Sequence, residues 1–135
     1  MSTVKIRAAL ESALNSINPP IQTAWENVPY NPTVGTPYQR ITMLMAQPSN
    51  PTMGSKFYRE LGMLYVTLCY PTDSGTSALM TRAELIKSVF IVGASFTNGG
   101  ITAIVTGTPE IGTPAIEDER YFAPVKIRFY ADIFL

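Results

Sequence analysis

The chain of 135 residues has the length of one ordinary domain, and we expect residues 1–135 to fold as a single unit. Its ten basic and ten acidic side chains leave no net charge, which excludes a protein that works by neutralising phosphates with clustered Lys and Arg. There is no His and only one Cys, Cys69, so His-based acid–base catalysis, imidazole or Cys-cluster metal sites and an intrachain disulfide are excluded.

The first predicted element is a helix over residues 3–17. Apolar side chains recur every three or four residues, which is typical of a helix with one buried face: Ile6, Leu10, Leu14 and Ile17. Pro19 and Pro20 end this helix, because proline lacks a backbone N–H and disfavours helical geometry in the residue before it. Extended segments are predicted over 21–28 and 38–45.

A long strand is predicted over residues 56–70. It is separated from the extended segment 38–45 by a stretch of ten turn-forming residues, 46–55, which is longer than the usual hairpin loop. The two segments are therefore expected to be separate strands joined by an unusually long loop.

The second half of the chain begins with a predicted helix over residues 77–92. Its apolar side chains again follow helical spacing: Leu79, Ala83, Ile86 and Phe90. The turn signal Asn98-Gly99-Gly100 precedes a short predicted strand over 101–106. Residues 108–119 then form a connection rich in Pro, Gly and acidic residues, with one possible short strand.

The last predicted strand has the clearest pattern, since apolar and polar residues alternate along it. The apolar positions are Val125, Ile127, Phe129, Ala131 and Ile133, and the others are Lys126, Arg128, Tyr130 and Asp132. Such alternation indicates one face against a core and one face in water, as in an antiparallel sheet. The element order predicts an α+β fold: a mixed, mostly antiparallel β-sheet with two α-helices packed on one face.

Chemically active groups are few. Glu117, Asp118 and Glu119 form the densest acidic run, but a solvated loop explains them better than a site for a hard cation. Cys69 lies late in a strand beside Leu68 and Tyr70, which favours a packed thiol over a reactive one. We therefore predict that the protein is not an enzyme and that it holds no catalytic residue, cofactor or metal.

The low charge content favours a protein that works through contacts with partners. Only 15% of residues are charged, against about 25% in a typical soluble domain, while 46% are hydrophobic. Charged residues are depleted at interface cores, although a polar, uncharged free surface is an alternative explanation. The sequence has no signal peptide and no run approaching about 18 apolar residues, so we expect a soluble protein without a membrane span.

Several segments, taken in their order and spacing, carry a resemblance to a known family. These segments are 25–30, 37–41, 57–60, 66–71, 82–86, 108–112, 120–121 and 125–129. Across residues 4–131 the chain resembles the tail-terminator-like proteins of tailed phages and prophages. It is similar in architecture to the lambda-type tail terminator.

The resemblance implies an α+β subunit that assembles into a homohexameric ring. Such a ring caps the finished tail tube, stops its polymerisation and offers a surface for docking to the head. The implied partners are further copies of the chain, the tail-tube protein and a head-completion or connector protein. Genomic DNA would pass through the lumen without specific binding. The implied location is the virion tail at the head–tail junction, after assembly in the host cytoplasm.

The candidate interface is the long loop 46–55 with the two residues that follow it. A loop of this length without a helix or strand of its own is often functional. We predict that it packs on the tail tube or on a neighbouring subunit. The candidate contact residues are Pro48, Asn50, Pro51, Met53, Lys56 and Phe57.

Two other functions are alternatives. One is a non-catalytic small-ligand-binding α+β domain, whose helices and curved sheet would enclose a pocket. The other is a different head- or tail-completion protein, or a tail-tube protein of related architecture. Native mass would separate the ring from the ligand-binding domain, and the copy number in each virion would separate a terminator from a tube protein.

Overall fold

The computed structural model describes residues 2–17, 21–31, 35–50, 56–72, 75–117 and 120–134. The two helices in these ranges are α1, Ser2–Asn15, and α2, Ser77–Val89. The strands are β1 Gln22–Ala24, β2 Tyr38–Met45, β3 Phe57–Pro71, β4 Ser95–Asn98, β5 Ile101–Val105, β6 Glu110–Ile111, β7 Ala115–Glu117 and β8 Arg120–Phe134.

The strands form one sheet in the order β1-β2-β3-β8-β5-β4, and β6 and β7 also pair with β8. Only the pairing of β1 with β2 is parallel among those the structure describes. The two longest strands, β3 and β8, have 15 residues each and pair along their whole length, from Phe57 opposite Phe134 to Pro71 opposite Arg120. The predicted mixed, mostly antiparallel sheet is therefore confirmed.

The core lies on one side of this sheet, here called the inner face. The apolar positions predicted along β8 are all buried, and β3 contributes Leu64, Val66 and Leu68 beside them. Apolar side chains from both helices join the same buried cluster: Ile6, Leu10 and Leu14 from α1, and Leu79, Ala83, Ile86 and Phe90 from α2. Both helices thus pack on the inner face, as the α+β prediction states.

Glycine is required where a core side chain crosses β3. Gly62 lies opposite Phe129, and a Cβ at position 62 would lie 2.7 Å from Phe129 Cζ and 3.0 Å from the carbonyl oxygen of Leu44. Because real Cβ atoms do not approach other atoms that closely, the missing side chain makes room for the Phe129 ring. A glycine inside a strand often marks such a close approach.

The extended segment predicted over 21–28 is a strand only over Gln22–Ala24, and both helices end before their predicted bounds. Three further features differ from the sequence predictions. Strand β4 was not predicted, because its residues are Ser, Phe, Thr and Asn and lack a clear apolar pattern. The connection 108–119 contains two short strands, β6 and β7, where one was thought possible. Strand β8 begins five residues before the alternating pattern from which it was predicted. The prediction began late because proline is unfavourable inside a strand, yet Pro124 pairs with Thr67 of β3.

Candidate protein interface

The sheet face that points away from α1 and α2, here called the outer face, carries apolar side chains as well. In a strand, side chains alternate between the two faces of the sheet. Leu61, Met63 and Tyr65 of β3 therefore point to the outer face, while Leu64, Val66 and Leu68 point to the core. They are only partly buried, and Tyr130 of β8 is partly buried beside them. No described helix packs on this face, which leaves its apolar side chains accessible to a partner.

Strand register aligns the outer-face residues in rows across the sheet. Leu44 of β2 lies opposite Met63 of β3, which lies opposite Arg128 of β8. In the next row Leu61 lies opposite Tyr130, and the Ala46 N–H extends this row by donating to the carbonyl of Leu61 at 2.9 Å. Neighbouring rows are therefore two residues apart along each strand, about 7 Å.

These rows enclose a groove of about 290 Å³, here called the outer groove. Its lining is mostly apolar and comes from β2, β3, β8 and the residue after β5: Leu44, Met45, Ala46, Leu61, Gly62, Met63, Thr106, Arg128 and Phe129. Leu44 is 50% exposed at its border. An open apolar groove with one cation at its rim suits a protein side chain better than a polar metabolite.

An ion pair lies one row beyond Leu61 and Tyr130 on the outer face. Arg59 Nε donates to Asp132 Oδ1 at 2.7 Å, and Arg59 Nη2 donates to Asp132 Oδ2 at 3.1 Å. The Arg59 guanidinium also lies 4.3 Å from the centroid of the Tyr130 ring. This bidentate geometry holds Arg59 in place and fixes the polar border of the face.

In the opposite direction along the sheet, three successive rows of the outer face each carry a cation: Arg128, Lys126 and Arg40. Arg128 Nη2 lies 3.6 Å from Glu110 Oε2, and Lys126 Nζ lies 5.9 Å from the centroid of the Tyr65 ring. One row farther along, Arg40 is exposed, and its Nη2 donates to the hydroxyl of Tyr38 at 3.4 Å. Arg128 is the cation that lines the groove, whereas Arg40 lines a separate cavity together with Glu117 and Arg120.

The predicted interface loop begins beside the Arg59 end of the outer face. Ser49 and Arg59 exchange two backbone hydrogen bonds, both of 2.8 Å, which ties the start of the loop to β3. Pro48, Asn50 and Lys56 are exposed.

Phe57 is partly buried, and its ring lies 4.9 Å from that of Phe134 at the end of β8. Phe134 itself is 76% exposed. Pro51 and Met53 lie outside the described residues. The structure therefore places the described part of the predicted loop next to the outer face, and it adds the groove residues Leu44, Leu61 and Met63, which the sequence reasoning missed.

A signal for the missed residues is present in the sequence of β3. Residues 61–70 are mostly apolar in both alternating phases, whereas the second phase of residues 125–133 in β8 contains Lys126, Arg128 and Asp132. A strand that is apolar on both faces is typical of a sheet covered on both sides. The helices cover only the inner face, so this pattern points to a partner on the outer face.

A small second cluster lies at the far end of the outer face, around Cys69. Cys69 is 5% exposed and packs with Ala24 and Tyr38, with the partly buried Tyr30 and Phe122 beside them. Burial raises the pKa of the Cys69 thiol, so the unreactive neutral form dominates at neutral pH. Burial likewise raises the pKa of Tyr38.

We expect Cys69 to have a purely structural role. A thiol reagent should label it slowly in the native protein and rapidly after denaturation, because the folded chain excludes the reagent. Cys69→Ala should lower the free energy of unfolding by about 1 kcal/mol, as expected for a small buried group, and should leave function intact. Fast labelling of the native protein, followed by mass spectrometry, would contradict this prediction.

Metal and membrane sites are not found in the described ranges. No group of three or more Asp, Glu or Cys side chains there could hold a metal ion. Of the acidic run, Glu117 is exposed at the end of β7, while Asp118 and Glu119 lie outside the described residues. Neither α1 nor α2 is long and apolar enough to cross a membrane.

Comparisons with known proteins agree with this architecture. Seven chains of solved structures match the protein, and one of them aligns over 100% of this chain and 98% of its own, with a TM-score of 0.77 and 25% identity. No curated protein sequence matches the chain. A family model described as phage tail terminator protein matches residues 5–129, nearly the whole chain, and the protein therefore belongs to the phage tail terminator family.

Proposed function

We propose that this protein forms a ring of six copies that caps the tail tube, ends its polymerisation and provides the surface to which the head is joined. Membership of the family makes it a structural protein of the phage tail. The proposed partners are other copies of the chain, the tail-tube protein and a head-completion or connector protein. DNA would pass through the lumen without specific binding, because a neutral chain lacks the excess basic charge that holds phosphates.

The physical requirement for termination is an asymmetric subunit. A tube that grows by stacking identical rings exposes the same binding surface after every addition. Growth stops when a ring occupies that surface and presents a different one on its other side. Such a ring is built from repeated head-to-tail contacts between subunits. Its function requires surfaces that are complementary in shape to its partners and partly apolar, and it does not require an active site.

The observation that carries the proposal is the apolar outer face. The second face of the sheet bears Leu44, Leu61, Met63 and Tyr130, and no helix among the described residues covers it, so it is suited to a protein partner. Contacts of this kind supply association energy through burial of apolar area. We propose that the outer face is occupied in the assembled tail.

The loop after β2 is proposed as a second contact, with the tail tube or with a neighbouring subunit, through Pro48, Asn50, Pro51, Met53, Lys56 and Phe57. Replacing residues 48–54 by a short Gly/Ser turn removes the backbone pair of Ser49 and Arg59 but should leave the core intact, because the described residues 48–50 are exposed. The variant should fail to terminate tails, since it lacks these contacts. The melting temperature reports the fold, and electron microscopy of complemented phage reports termination. Tails of normal length would show that the loop has no such role.

Deletion of the gene tests the function directly. We expect phage without it to make heads and tube protein at normal levels, but to produce tails of abnormal or irregular length that do not join to heads. Supplying the intact gene from a plasmid should restore normal tails, which excludes effects on neighbouring genes. Tails of normal length joined to heads in the deletion mutant would overturn the proposal.

The oligomeric state provides an independent measurement. Six copies of the 14.8 kDa chain would form a particle of about 89 kDa if head-to-tail contacts close into a ring. The number of copies in each purified virion should correspond to a single ring. A much larger copy number would indicate a tube protein instead.

A further inference from the structure

The side of α2 that faces away from the core carries an open depression of about 460 Å³. The described residues of its lining all belong to α2: Ser77, Met80, Thr81, Glu84, Leu85 and Ser88. They recur every three or four residues, so they share one side of the helix, opposite the buried Leu79, Ala83 and Ile86. Met80 and Leu85, the apolar members, are only partly buried, and the other four are exposed. α2 therefore has a second surface that is available to another chain.

The α2 depression and the outer groove each have one charged residue in their lining, and the two charges are opposite. Glu84 lines the depression, and Arg128 lines the groove. Lys87 Nζ lies 3.9 Å from Glu84 Oε1, and Arg128 Nη2 lies 3.6 Å from Glu110 Oε2. Both pairs are at the surface, where an ion pair contributes little to stability. Glu84 and Arg128 can therefore pair with each other at small cost, and such complementary charges fix the register of docking.

The two surfaces cannot meet within one molecule, because they lie on opposite sides of the sheet. The buried side of α2 packs on the inner face, and its depression points away from the sheet. The outer groove lies on the other face. A contact between them therefore joins two copies of the chain. It is heterologous because different surfaces meet, as in a ring built from head-to-tail contacts.

The width of the outer groove matches that of a helix. Leu44 and Arg128 lie in one row on either side of Met63, so two strand spacings separate them, about 10 Å. An α-helix with its side chains is about 10–12 Å across. Consecutive helical residues such as Glu84 and Leu85 project about 100° apart, so one can approach Arg128 while the other approaches Leu44.

We propose that the exposed side of α2 from one copy lies in the outer groove of the next copy, with Glu84 beside Arg128 and Leu85 beside Leu44. Thr81, one turn before these two residues, projects between them and faces Met63. This inference rests on the proposed ring, for which it supplies the contact between subunits. It also gives the apolar outer face a covering helix, as sheets with two apolar faces usually have.

Cross-linking in assembled tails tests the contact. Thr81→Cys and Met63→Cys are introduced together in the Cys69→Ala background, and tails of the complemented deletion phage are treated with a short bifunctional thiol reagent. We expect a ladder of linked copies, because each subunit links to both of its neighbours. Val4→Cys with Met63→Cys is the matched control and should give no ladder, since Val4 is 60% exposed but lies on α1.

Three outcomes of the cross-linking would overturn the inference. Linked dimers of a variant that carries only one of the two cysteines would indicate a two-fold contact. A link between the Met63→Cys variant and the tail-tube protein would place a different partner in the groove. Tails of normal length that join to heads and contain no linked copies would refute the contact while leaving the terminator function intact. Deletion of the gene tests that function without reference to any contact.

Charge exchange tests the pairing of Glu84 with Arg128. Glu84→Lys and Arg128→Glu should each weaken association about fivefold or more at low salt, while a chain carrying both should recover to within about twofold of the original. Sedimentation over a concentration series measures association, and thermal unfolding measures the fold. Arg128→Glu combined with Glu110→Lys is the matched control, because it restores the pair within the subunit but leaves Glu84 facing a carboxylate. Recovery in this control, or additive weakening in the first double variant, would show that Glu84 and Arg128 do not meet.

Discussion

Replacing Phe129 by alanine should lower the free energy of unfolding by about 3–5 kcal/mol, the largest stability effect expected in this chain. Phe129 is 1% exposed at the centre of β8, where its ring passes over Gly62 of β3. Truncation removes the ring from the core and leaves a cavity that the paired strands cannot close. Urea unfolding monitored by circular dichroism measures the change.

Phe134→Ala is the matched control, because it removes the same side chain from the same strand. Phe134 is 76% exposed, and its contact is the ring of Phe57, so the expected cost is about 1 kcal/mol or less. A loss from Phe129→Ala no larger than that of the control would mean that the Phe129 ring does not fill the core as described.

The largest functional effect is expected from a charge placed in the outer groove. Leu44→Glu should weaken assembly by about 30-fold or more, because a carboxylate at a closed apolar contact loses its hydration without gaining a partner. The fold should be retained within about 0.5 kcal/mol, since Leu44 is 50% exposed and its replacement can remain in water. Sedimentation measures assembly, and thermal unfolding measures the fold.

Val92→Glu is the control for this substitution. Val92 is 56% exposed, close to the value for Leu44, but it lies in the turn after α2 and outside the outer groove. It should assemble and complement normally. Equal loss of assembly in both variants would indicate a general effect of added negative charge, and normal assembly of Leu44→Glu would remove the groove from the interface.

The sequence predicts the core better than it predicts the interface. The strand β8 can be predicted from its alternating residues, because one face of the strand packs against two helices and the other does not. The helices α1 and α2 can be predicted from the spacing of their apolar residues for the same reason. Their ends were predicted less well, since α1 ends two residues and α2 three residues earlier than predicted. In each case, a one-sided environment imposes a period on consecutive residues.

The groove could not be predicted in this way. Leu44, Met63 and Arg128 are neighbours through strand register, yet they are far apart in the sequence. The short strands β6 and β7 also gave little signal, because both follow the edge of β8 and β7 is exposed along its whole length. The long loop was identified from its turn-forming residues alone, which mark a connection but do not identify what it contacts.

The position of β8 has a consequence for the order of folding. β8 follows all the other described strands in the sequence, but it pairs with β3 on one side and with β5, β6 and β7 on the other. Because a ribosome releases the chain from its N-terminus, these pairings cannot form before β8 has been synthesised. The dominance of contacts distant in sequence also places refolding among the slower small domains, from milliseconds to seconds. A nascent chain that has not reached β8 therefore lacks the assembled outer face, and one edge of β3 is still unpaired.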